Sequence, residues 1–297
     1  MAINVQVGSV TGLWRFPVKS MRGERLDEAH VTERGLVGDR AYALMDTDTG
    51  KVVSAKSVKR FPDLLQCQAT FVEPPGAEED LPPVEITLPD GRTVRSDTSD
   101  VSGVLSTFFE HDVTLARAAP EDFTIDQYHP DIEDVDPAGH RDTVVEQKLG
   151  AAFFADAGIP SPVPVGAFFD LFPVSVLTTS TLEQLGQLQP QSRFDERRFR
   201  MNVIVDTDDA GFVENEWIGR KLGIGDEIRL SVALPDPRCV MTTLAQDELP
   251  RDHDILRTLT RHNRIQIADA GRFPCAGVYA VVDAPGTMRA GQGVALT

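Results

Sequence analysis

Short runs of alternating apolar and polar residues dominate the first third of the chain. Residues 3–16 alternate loosely and predict an opening strand. Residues 84–88 and 92–95 alternate on either side of a Pro-Asp-Gly turn, which predicts a β-hairpin. A short helix is predicted over residues 98–110 and another strand over residues 112–117. Many short strands separated by turns are typical of a β-barrel or a β-sandwich.

The pattern changes between about residue 118 and residue 164. This stretch is acidic and proline-rich and has no sustained periodicity, so we expect a partly irregular connecting segment. His129 lies beside Pro130 and is interpreted as a loop histidine, because no second metal-binding residue type follows at ligand spacing. The predicted organisation is an N-terminal domain, a connecting segment and a C-terminal domain, over residues 1–118, 119–164 and 165–297.

The last third again predicts strands, with two short helices. One helix follows a run of threonine and serine, and we expect it to start near Ser180 with Glu183 at the capping-box position. The second is predicted over residues 254–262, and two strands around a turn close the chain after residue 277. Together these elements predict a mainly β protein of the β-rich α+β type with a few helices.

Composition excludes several classes of partner. The 297 residues are 41% hydrophobic and 25% charged, as in an ordinary globular protein. No apolar run is long enough to span a bilayer, and the N-terminus lacks the features of a signal peptide, so we expect a cytoplasmic protein. The net charge of −17 repels nucleic acid and anionic membrane surfaces, so neither is an expected partner.

The three cysteines are too few and too widely spaced for a disulfide framework or for a zinc site built on thiolates. Cys239 lies between Arg238 and an apolar run, just after two prolines that favour an extended approach to it. The neighbouring arginine favours the thiolate, the form that binds metals. The alternative is a buried structural thiol.

Basic residues at several points could bind an anion. Lys19 and Ser20 follow the strand-breaking Pro17, and an ammonium and a hydroxyl both donate to phosphate, although the glycine spacing of a P-loop is missing. Taken alone, Lys19 also fits an ordinary surface lysine. In so acidic a chain, basic residues gathered at one site favour a small anion. A further group precedes the strand after residue 201: Arg193, Arg197, Arg198 and Arg200.

Seven segments, in order along the chain, resemble the molybdenum cofactor sulfurase C-terminal (MOSC) domain proteins. The resemblance is to the branch that includes the mitochondrial amidoxime reducing component and its bacterial relatives. The segments are R-F-P-V-K-S (15–20), G-L-V-G-D-R-A-Y (35–42), F-D-L-F-P-V-S-V-L-T-T-S-T-L (169–182), R-R-F-R-M-N-V-I-V-D (197–206), E-N-E-W (214–217), P-R-C-V-M-T-T (237–243) and V-D-A-P-G-T-M-R-A-G (282–291).

The resemblance implies a small N-terminal β-barrel domain beside a larger MOSC β-barrel domain, with a molybdenum cofactor in the cleft between them. It implies that Cys239 is the protein ligand of the molybdenum, which suits a soft thiolate. Asp170 lies at an acidic position of the family and is expected to contact the pterin or to help move protons. The implied cofactor-binding residues are Lys19, Ser20 and Arg40 at the terminal phosphate, and Arg200, Asn202 and Arg238 around the pterin and metal.

The chain departs from the family pattern at a few positions. Leu171 and Phe172 follow Asp170 where the eukaryotic branch carries small hydroxyl residues, which puts hydroxyl contacts there in doubt. Met201 replaces a frequent proline, which changes backbone stiffness more than chemistry. Cys67 and Cys275 match no functional position and are expected to be packing residues.

The implied activity is a molybdenum-dependent oxidoreductase that removes oxygen from N-hydroxylated or other N- or S-oxygenated small molecules. The cysteine cluster of a ferredoxin-like domain is missing, so we expect a separate electron donor of ferredoxin or flavoprotein type. Three alternatives stay open: a carrier of the molybdenum cofactor, a sulfurtransferase that forms a persulfide on Cys239, and a β-rich binding module without a metal.

Overall fold

The computed structural model of the chain describes residues 5–77 and 80–297, so the first two positions of the predicted opening strand lie outside it. The predicted mainly β fold is confirmed, with four α-helices among the described residues. Its elements up to residue 117 are β1 (Val5–Arg15), β2 (Glu24–Leu26), β3 (Glu28–Thr32), β4 (Gly35–Leu36), β5 (Ala43–Asp46), β6 (Gln68–Phe71), β7 (Val84–Thr87), β8 (Thr93–Arg95), α1 (Val101–Phe109) and β9 (Val113–Ala116).

The predicted hairpin, helix and strand of this first part are confirmed. β7 pairs antiparallel with both β6 and β8, and β5 pairs with β9. In α1, Leu105 and Phe109 are four residues apart, so both lie on the face that is buried in the N-terminal core. Glu110 ends the helix in the left-handed conformation (φ 55°).

The connecting segment is more regular than predicted. It contains β10 (Thr124–His129), β11 (Thr143–Lys148) and α2 (Ala151–Asp156), and the two strands pair in unbroken antiparallel register. Only Ile125 and His129 of β10 are buried, so the strand lacks the apolar alternation that would have revealed it. The interpretation of His129 as a loop residue is therefore wrong, since it ends a strand and is buried.

The last part confirms both predicted helices and supplies most of the main sheet. Its elements are β12 (Val174–Thr178), α3 (Thr179–Leu188), β13 (Val203–Asp206), β14 (Lys221–Ile224), β15 (Ile228–Pro237), α4 (Asp254–His262), β16 (Arg264–Ile267), β17 (Gly271–Ala284), β18 (Gly286–Arg289) and β19 (Gly293–Leu296).

The capping box predicted for α3 is wrong. Thr178 is the N-cap, and its hydroxyl accepts a hydrogen bond from the Thr181 backbone N–H at 3.2 Å. The third helical residue is therefore Thr181, and Glu183 lies two positions too far along the helix to reach the cap.

Seven strands form a closed barrel in the order β12-β13-β1-β19-β14-β15-β17, and pairing of β12 with β17 closes it. Its interior is filled by aliphatic residues of all seven strands, and Val10 and Leu13 are the buried contributions of β1. A β-bulge between Val10 and Gly12 shifts the register of β1 against β13, so that both apolar residues point into the core.

The barrel combines the two ends of the chain. β1 lies between β13 and β19, so one N-terminal strand completes a barrel that otherwise uses residues 174–296. β3 pairs with β18 in a separate three-stranded sheet. The domain boundaries at residues 118 and 164, which were inferred from the sequence, stay a prediction. Because R-F-P-V-K-S starts at the last residue of β1, Lys19 and Ser20 lie just beyond the end of a barrel strand.

Across residues 5–77 and 80–297, none of the helices is both long and apolar enough for a transmembrane span.

Candidate functional site

One cleft brings together all of the residues predicted for the site. They come from the turn after β1, the loop before β5, the segment before β12, the turn before β13 and the segment after β15. The predicted residues that line this cleft are Lys19, Ser20, Arg40, Asp170, Arg200, Asn202, Arg238 and Cys239.

Cys239 is the accessible thiol of the chain. β15 ends at Pro237, and Cys239 follows in extended conformation (φ −128°, ψ −172°), as the prolines predict. Its side chain is partly exposed, whereas Cys67 and Cys275 are buried. Burial raises the pKa of each buried thiol to about 12, so neither forms a thiolate near neutral pH.

A buried arginine supports the turn that carries Cys239. The carbonyl oxygen of Cys239 accepts two hydrogen bonds from Thr242, one from its backbone N–H at 3.2 Å and one from its side-chain hydroxyl at 3.0 Å. Arg198 is 1% exposed and donates to the carbonyl oxygens of Thr242 at 3.4 Å and Leu244 at 3.2 Å. Of the arginine group before β13, Arg198 therefore stabilises this turn.

Arg238 is held between an acid and a backbone carbonyl. Its Nη1 lies 2.5 Å from Asp236 Oδ2, and its Nη2 donates to the carbonyl oxygen of Phe199. The positive charge predicted beside Cys239 is thus partly balanced by Asp236. The Nε of Arg238 is buried and has no hydrogen-bond partner among the residues described, so one donor of this cleft residue is unpaired.

Asp236 and Tyr279 form a pair that the sequence reasoning missed. Burial raises the pKa of Asp236 to about 6, although Arg238 and the Tyr279 hydroxyl, which donates to the carboxylate, both oppose that rise. The pair forms because β15 and β17 are antiparallel neighbours that place Leu234 opposite Tyr279. This pairing has no signal in the sequence, although Asp236 itself lies three residues before Cys239.

Two buried lysines hold Asp170 from either side. Lys19 Nζ donates to Asp170 Oδ1 and, at 2.8 Å, to the carbonyl oxygen of Phe168, and Lys56 Nζ lies 2.8 Å from Asp170 Oδ2. Burial lowers the pKa of Lys19. Burial also opposes ionisation of Asp170, but attraction to Lys19 and Lys56 outweighs it and lowers the pKa of Asp170. Burial opposes ionisation of Lys56 as well, but attraction to Asp170 and Cys239 outweighs it and raises the pKa of Lys56. The sequence reasoning missed Lys56.

Two guanidinium groups stack on one aromatic ring. Those of Arg40 and Arg200 lie 4.5 Å and 4.3 Å from the ring centroid of Phe16. Arg40 also donates to the carbonyl oxygen of Arg200 at 2.9 Å, and Arg200 donates to that of Met21 at 2.5 Å. Burial, together with repulsion from Arg40, lowers the pKa of Arg200. These contacts fix two cations at one wall of the cleft.

Three predicted cofactor-binding residues have a left-handed backbone. The φ angles of Ser20, Arg40 and Arg200 are 66°, 48° and 57°. Non-glycine residues rarely adopt positive φ, and such conformations cluster at binding and catalytic sites, where the surrounding fold maintains them. Their convergence on one cleft is an observation independent of any sequence motif.

Asn202 connects the two halves of the chain. Its Oδ1 accepts from the Ser175 backbone N–H at 3.1 Å and from the Ser175 hydroxyl at 3.0 Å, while its Nδ2 donates to Asp39 Oδ2 at 2.8 Å. Asp39 in turn accepts from the Phe16 backbone N–H and from Arg40. The buried amide of Asn202 therefore positions Asp39 and Arg40.

The side chains at the cleft fit an anionic group that carries a soft metal. Its lining includes one accessible thiol, five cationic residues and two carboxylates, which are Cys239; Lys19, Arg40, Lys56, Arg200 and Arg238; Asp170 and Asp236. This excess of cations occurs in a protein of net charge −17. Ammonium and guanidinium groups suit phosphate, and a thiolate suits molybdenum. The residues present thus fit a metal-pterin phosphate.

Comparison with known proteins identifies both parts of the chain. The family model of the MOSC N-terminal beta barrel domain matches residues 7–117, and that of the MOSC domain matches residues 166–295. Mitochondrial amidoxime reducing component 2 of Rattus norvegicus is 25% identical over 97% of this chain and 83% of its own length. Mitochondrial amidoxime-reducing component 1 of Mus musculus is 25% identical over 98% of this chain and 83% of its own.

Proposed function

The chain is a MOSC domain protein that carries both an N-terminal MOSC β-barrel domain and a MOSC domain, and we propose that it is a molybdenum-cofactor-dependent reductase. Its proposed substrates are N-hydroxylated or other N- or S-oxygenated small molecules. The names of the relatives support this assignment, since they are amidoxime reducing components that match nearly the whole chain.

The observation that carries the proposal is the convergence at the cleft. An accessible thiol at Cys239 shares a cleft with five cationic side chains drawn from both halves of the chain. Three of the five, Lys19, Lys56 and Arg200, are buried, and each of these carries a desolvation cost that a site for a neutral metabolite has no need of. A bound anion offsets that cost and makes the arrangement favourable.

Each residue of the cleft has a proposed task in holding the cofactor. Cys239 is the metal ligand. The terminal phosphate is bound by Lys19, Ser20 and Arg40 together with Lys56. Ammonium, hydroxyl and guanidinium groups all donate to phosphate oxygens. The pterin is contacted by Arg200 and Arg238, with Asn202 positioning Arg40 through Asp39.

Two carboxylates have different proposed tasks. The bound cofactor supplies two-electron redox chemistry, and removal of oxygen as water also consumes protons. Asp170 is held ionised by two lysines, which favours an electrostatic task over donation of protons. Asp236, whose pKa is raised to about 6, can hold a proton on its carboxyl group near neutral pH and is the better candidate for proton supply.

The electrons are proposed to come from a separate ferredoxin- or flavoprotein-type donor. The chain has three cysteines in all, and two of them are buried packing residues, so it lacks the thiolates that an iron–sulfur cluster needs.

The test is metal and pterin content together with turnover. Protein from a cofactor-competent host is expected to contain about one molybdenum and one pterin per chain, and Cys239→Ala is expected to lose the metal or alter its spectrum. The matched control is Cys67→Ala, which changes a buried thiol of the N-terminal core and is expected to keep both. Absence of metal and pterin from the wild-type protein would contradict the proposal.

Turnover separates a reductase from a carrier. Loaded wild-type protein is expected to reduce benzamidoxime to benzamidine with a reduced viologen dye as electron donor, while Cys239→Ala is inactive. Loaded protein that does not reduce amidoximes or other N- or S-oxygenated compounds, yet passes its cofactor to a cofactor-free enzyme, would indicate a carrier. A persulfide on Cys239 in metal-free protein would indicate sulfur transfer.

A further inference from the structure

A second group of metal-binding side chains lies in the connecting segment, apart from the residues that line the Cys239 cleft. His129 ends β10, and Asp136 and His140 lie in the loop that leads to β11. His140 Nδ1 is 2.5 Å and His129 Nδ1 is 3.6 Å from the same carboxylate oxygen, Asp136 Oδ2. The potential ligand atoms of the three residues all lie within 4.8 Å of one another.

The imidazole of His129 is buried, and its Nδ1 is not hydrogen-bonded to the nearby Asp136. Its side chain is 5% exposed, and the 3.6 Å between its Nδ1 and Asp136 Oδ2 is too long for a direct hydrogen bond. The Gln147 amide lies 3.4 Å from Nε2, and turning that amide by 180° presents its oxygen to Nε2–H, the outer partner typical of metal-bound histidines.

The loop that carries Asp136 and His140 is well supported. Asp136 accepts backbone hydrogen bonds from Ala138 at 3.3 Å and from His140 at 3.2 Å, which fixes its carboxylate. Ile132 and Val135 of the same loop pack against Leu256 of α4. The three potential ligands are thus held by a strand end and by an anchored loop, so small side-chain movements suffice to bring them to metal–ligand distances of about 2.0–2.2 Å.

We propose that His129, Asp136 and His140 bind a divalent first-row transition-metal ion of the Zn²⁺ type. Two imidazoles and one carboxylate are ligands that such borderline ions prefer, and a water molecule completes the fourth position. The bound ion joins the loop that carries Asp136 and His140 to the end of β10. This site uses none of the residues assigned to the molybdenum cofactor, so a test of the site does not depend on the proposed reductase activity.

The test is a titration with ZnCl₂ of untagged protein that has been treated with a chelator. The parent protein for this test carries Cys239→Ser, which removes the accessible thiol that could also bind Zn²⁺. Isothermal titration is expected to show one high-affinity Zn²⁺ per chain. Adding His129→Ala or His140→Ala is expected to weaken this binding about 100-fold or more, since each removes one of three ligands. The matched control is His30→Ala, which changes an exposed histidine of β3 and is expected to bind as the parent does.

Co²⁺ provides a second readout, because its visible absorption reports the geometry of its ligands. Co²⁺ is expected to give the bands of a low-coordinate nitrogen and oxygen site in the parent, and these bands are lost in His140→Ala. The His140 side chain is 41% exposed, so this variant is expected to fold, which far-ultraviolet circular dichroism checks. Parent protein that binds no Zn²⁺, or variants that bind it with unchanged affinity, would overturn the proposal.

Discussion

Asp170 receives an ammonium group on each of its carboxylate oxygens, from Lys19 on one side and Lys56 on the other. Two buried cations around one carboxylate leave an excess positive charge that a phosphate can neutralise. Lys56 also stays charged, because attraction to Asp170 outweighs the effect of burial and raises its pKa. It is therefore as well placed for phosphate binding as Lys19, the residue expected from the sequence.

We predict that Lys56→Met lowers retention of the cofactor. Loss of one charge-assisted hydrogen bond to phosphate corresponds to about 1.5–3 kcal/mol, or roughly a 10- to 100-fold weaker affinity. The Lys19–Asp170 ion pair remains, so the variant is expected to fold. Pterin content after gel filtration measures the loss. Lys59→Met removes an exposed lysine three residues away as the control, and equal loss in both variants would exclude a specific role for Lys56.

We predict that Asp236→Asn stabilises the cofactor-free protein at pH 7 but not at pH 4. The folded state raises the pKa of Asp236 from about 3.9 to about 6, so it binds the proton more tightly than the unfolded chain does. As pH rises from 4 to 6, the wild type therefore loses stability that the uncharged variant keeps. The difference in free energy of unfolding is expected to reach about 3 kcal/mol above pH 6.

Urea unfolding of both proteins at pH 4, 5, 6 and 7 measures this difference. Asp97→Asn changes an exposed carboxylate paired with Arg95 and serves as the control, with little change across the same range. A difference between Asp236→Asn and wild type that does not depend on pH would show that Asp236 is not a buried acid of raised pKa.

The residues that could be predicted are those that lie in recognisable segments. Cys239, Lys19 and the other expected residues belong to motifs, and the motifs could be ordered along the chain. Lys56 and Tyr279 could not be predicted in this way, because each joins the cleft only through tertiary pairing. Lys56 lies in the stretch V-V-S-A-K-S-V (52–58), which matches no motif, and Tyr279 reaches Asp236 through the register of β15 and β17.

At the scale of single elements, α3 shows why a cap is harder to predict than a helix. Four consecutive hydroxyl residues precede its first apolar position, and the sequence does not say which of them is the N-cap. The fold selects Thr178, because its hydroxyl also donates to the buried Glu214 at 2.6 Å while it accepts from the Thr181 N–H. A tertiary partner thus decides a local feature.

We predict that Thr178→Ala costs about 2–3 kcal/mol of stability, while Glu183→Ala changes it by less than about 0.5 kcal/mol. The first variant removes the cap and leaves buried Glu214 short of a donor, whereas the second truncates an exposed side chain. Midpoints of urea unfolding measure both. A large effect of Glu183→Ala with none for Thr178→Ala would restore the capping box that the sequence suggested.

The hairpin of β10 and β11 illustrates a second limit of prediction by element. Alternation of apolar residues reveals a strand that buries one face, but β10 buries only Ile125 and a histidine. The backbone pairing of the two strands is unbroken from Thr124–Lys148 to His129–Thr143, and backbone hydrogen bonds leave no mark on the sequence. A pattern-based reading therefore assigns such a hairpin to a loop.

At the scale of the whole molecule, the barrel depends on a strand that is separated in sequence from both of its neighbours in the barrel. β1 pairs with β13 on one side and with β19 on the other, and Val5 lies opposite Leu296. The described chain thus begins and ends on adjacent antiparallel strands. The assignment of two successive domains from the sequence places β1 with the N-terminal part, whereas its buried side chains belong to the core of the other.

We predict that residues 165–297 alone do not fold cooperatively, but that they do so when residues 5–37 are appended after a short turn. The appended segment restores β1 between its two partners and returns the apolar side chains of β1, β3 and β4 to the barrel core: Val10, Leu13, Ala29, Val31 and Leu36. Without them the barrel exposes an open edge on each side and an apolar interior.

Urea unfolding, followed by tryptophan fluorescence and circular dichroism, distinguishes the two fragments. A version of the longer fragment with Val10→Asp and Leu13→Asp has the same length but cannot bury β1, so it is expected to behave like the shorter fragment. Cooperative unfolding of residues 165–297 alone, at the midpoint of the longer fragment, would mean that the barrel closes without β1. The loop carrying Lys19 and Ser20 would then be attached to an independent domain, and the cleft would depend on how two domains dock instead of on one continuous sheet.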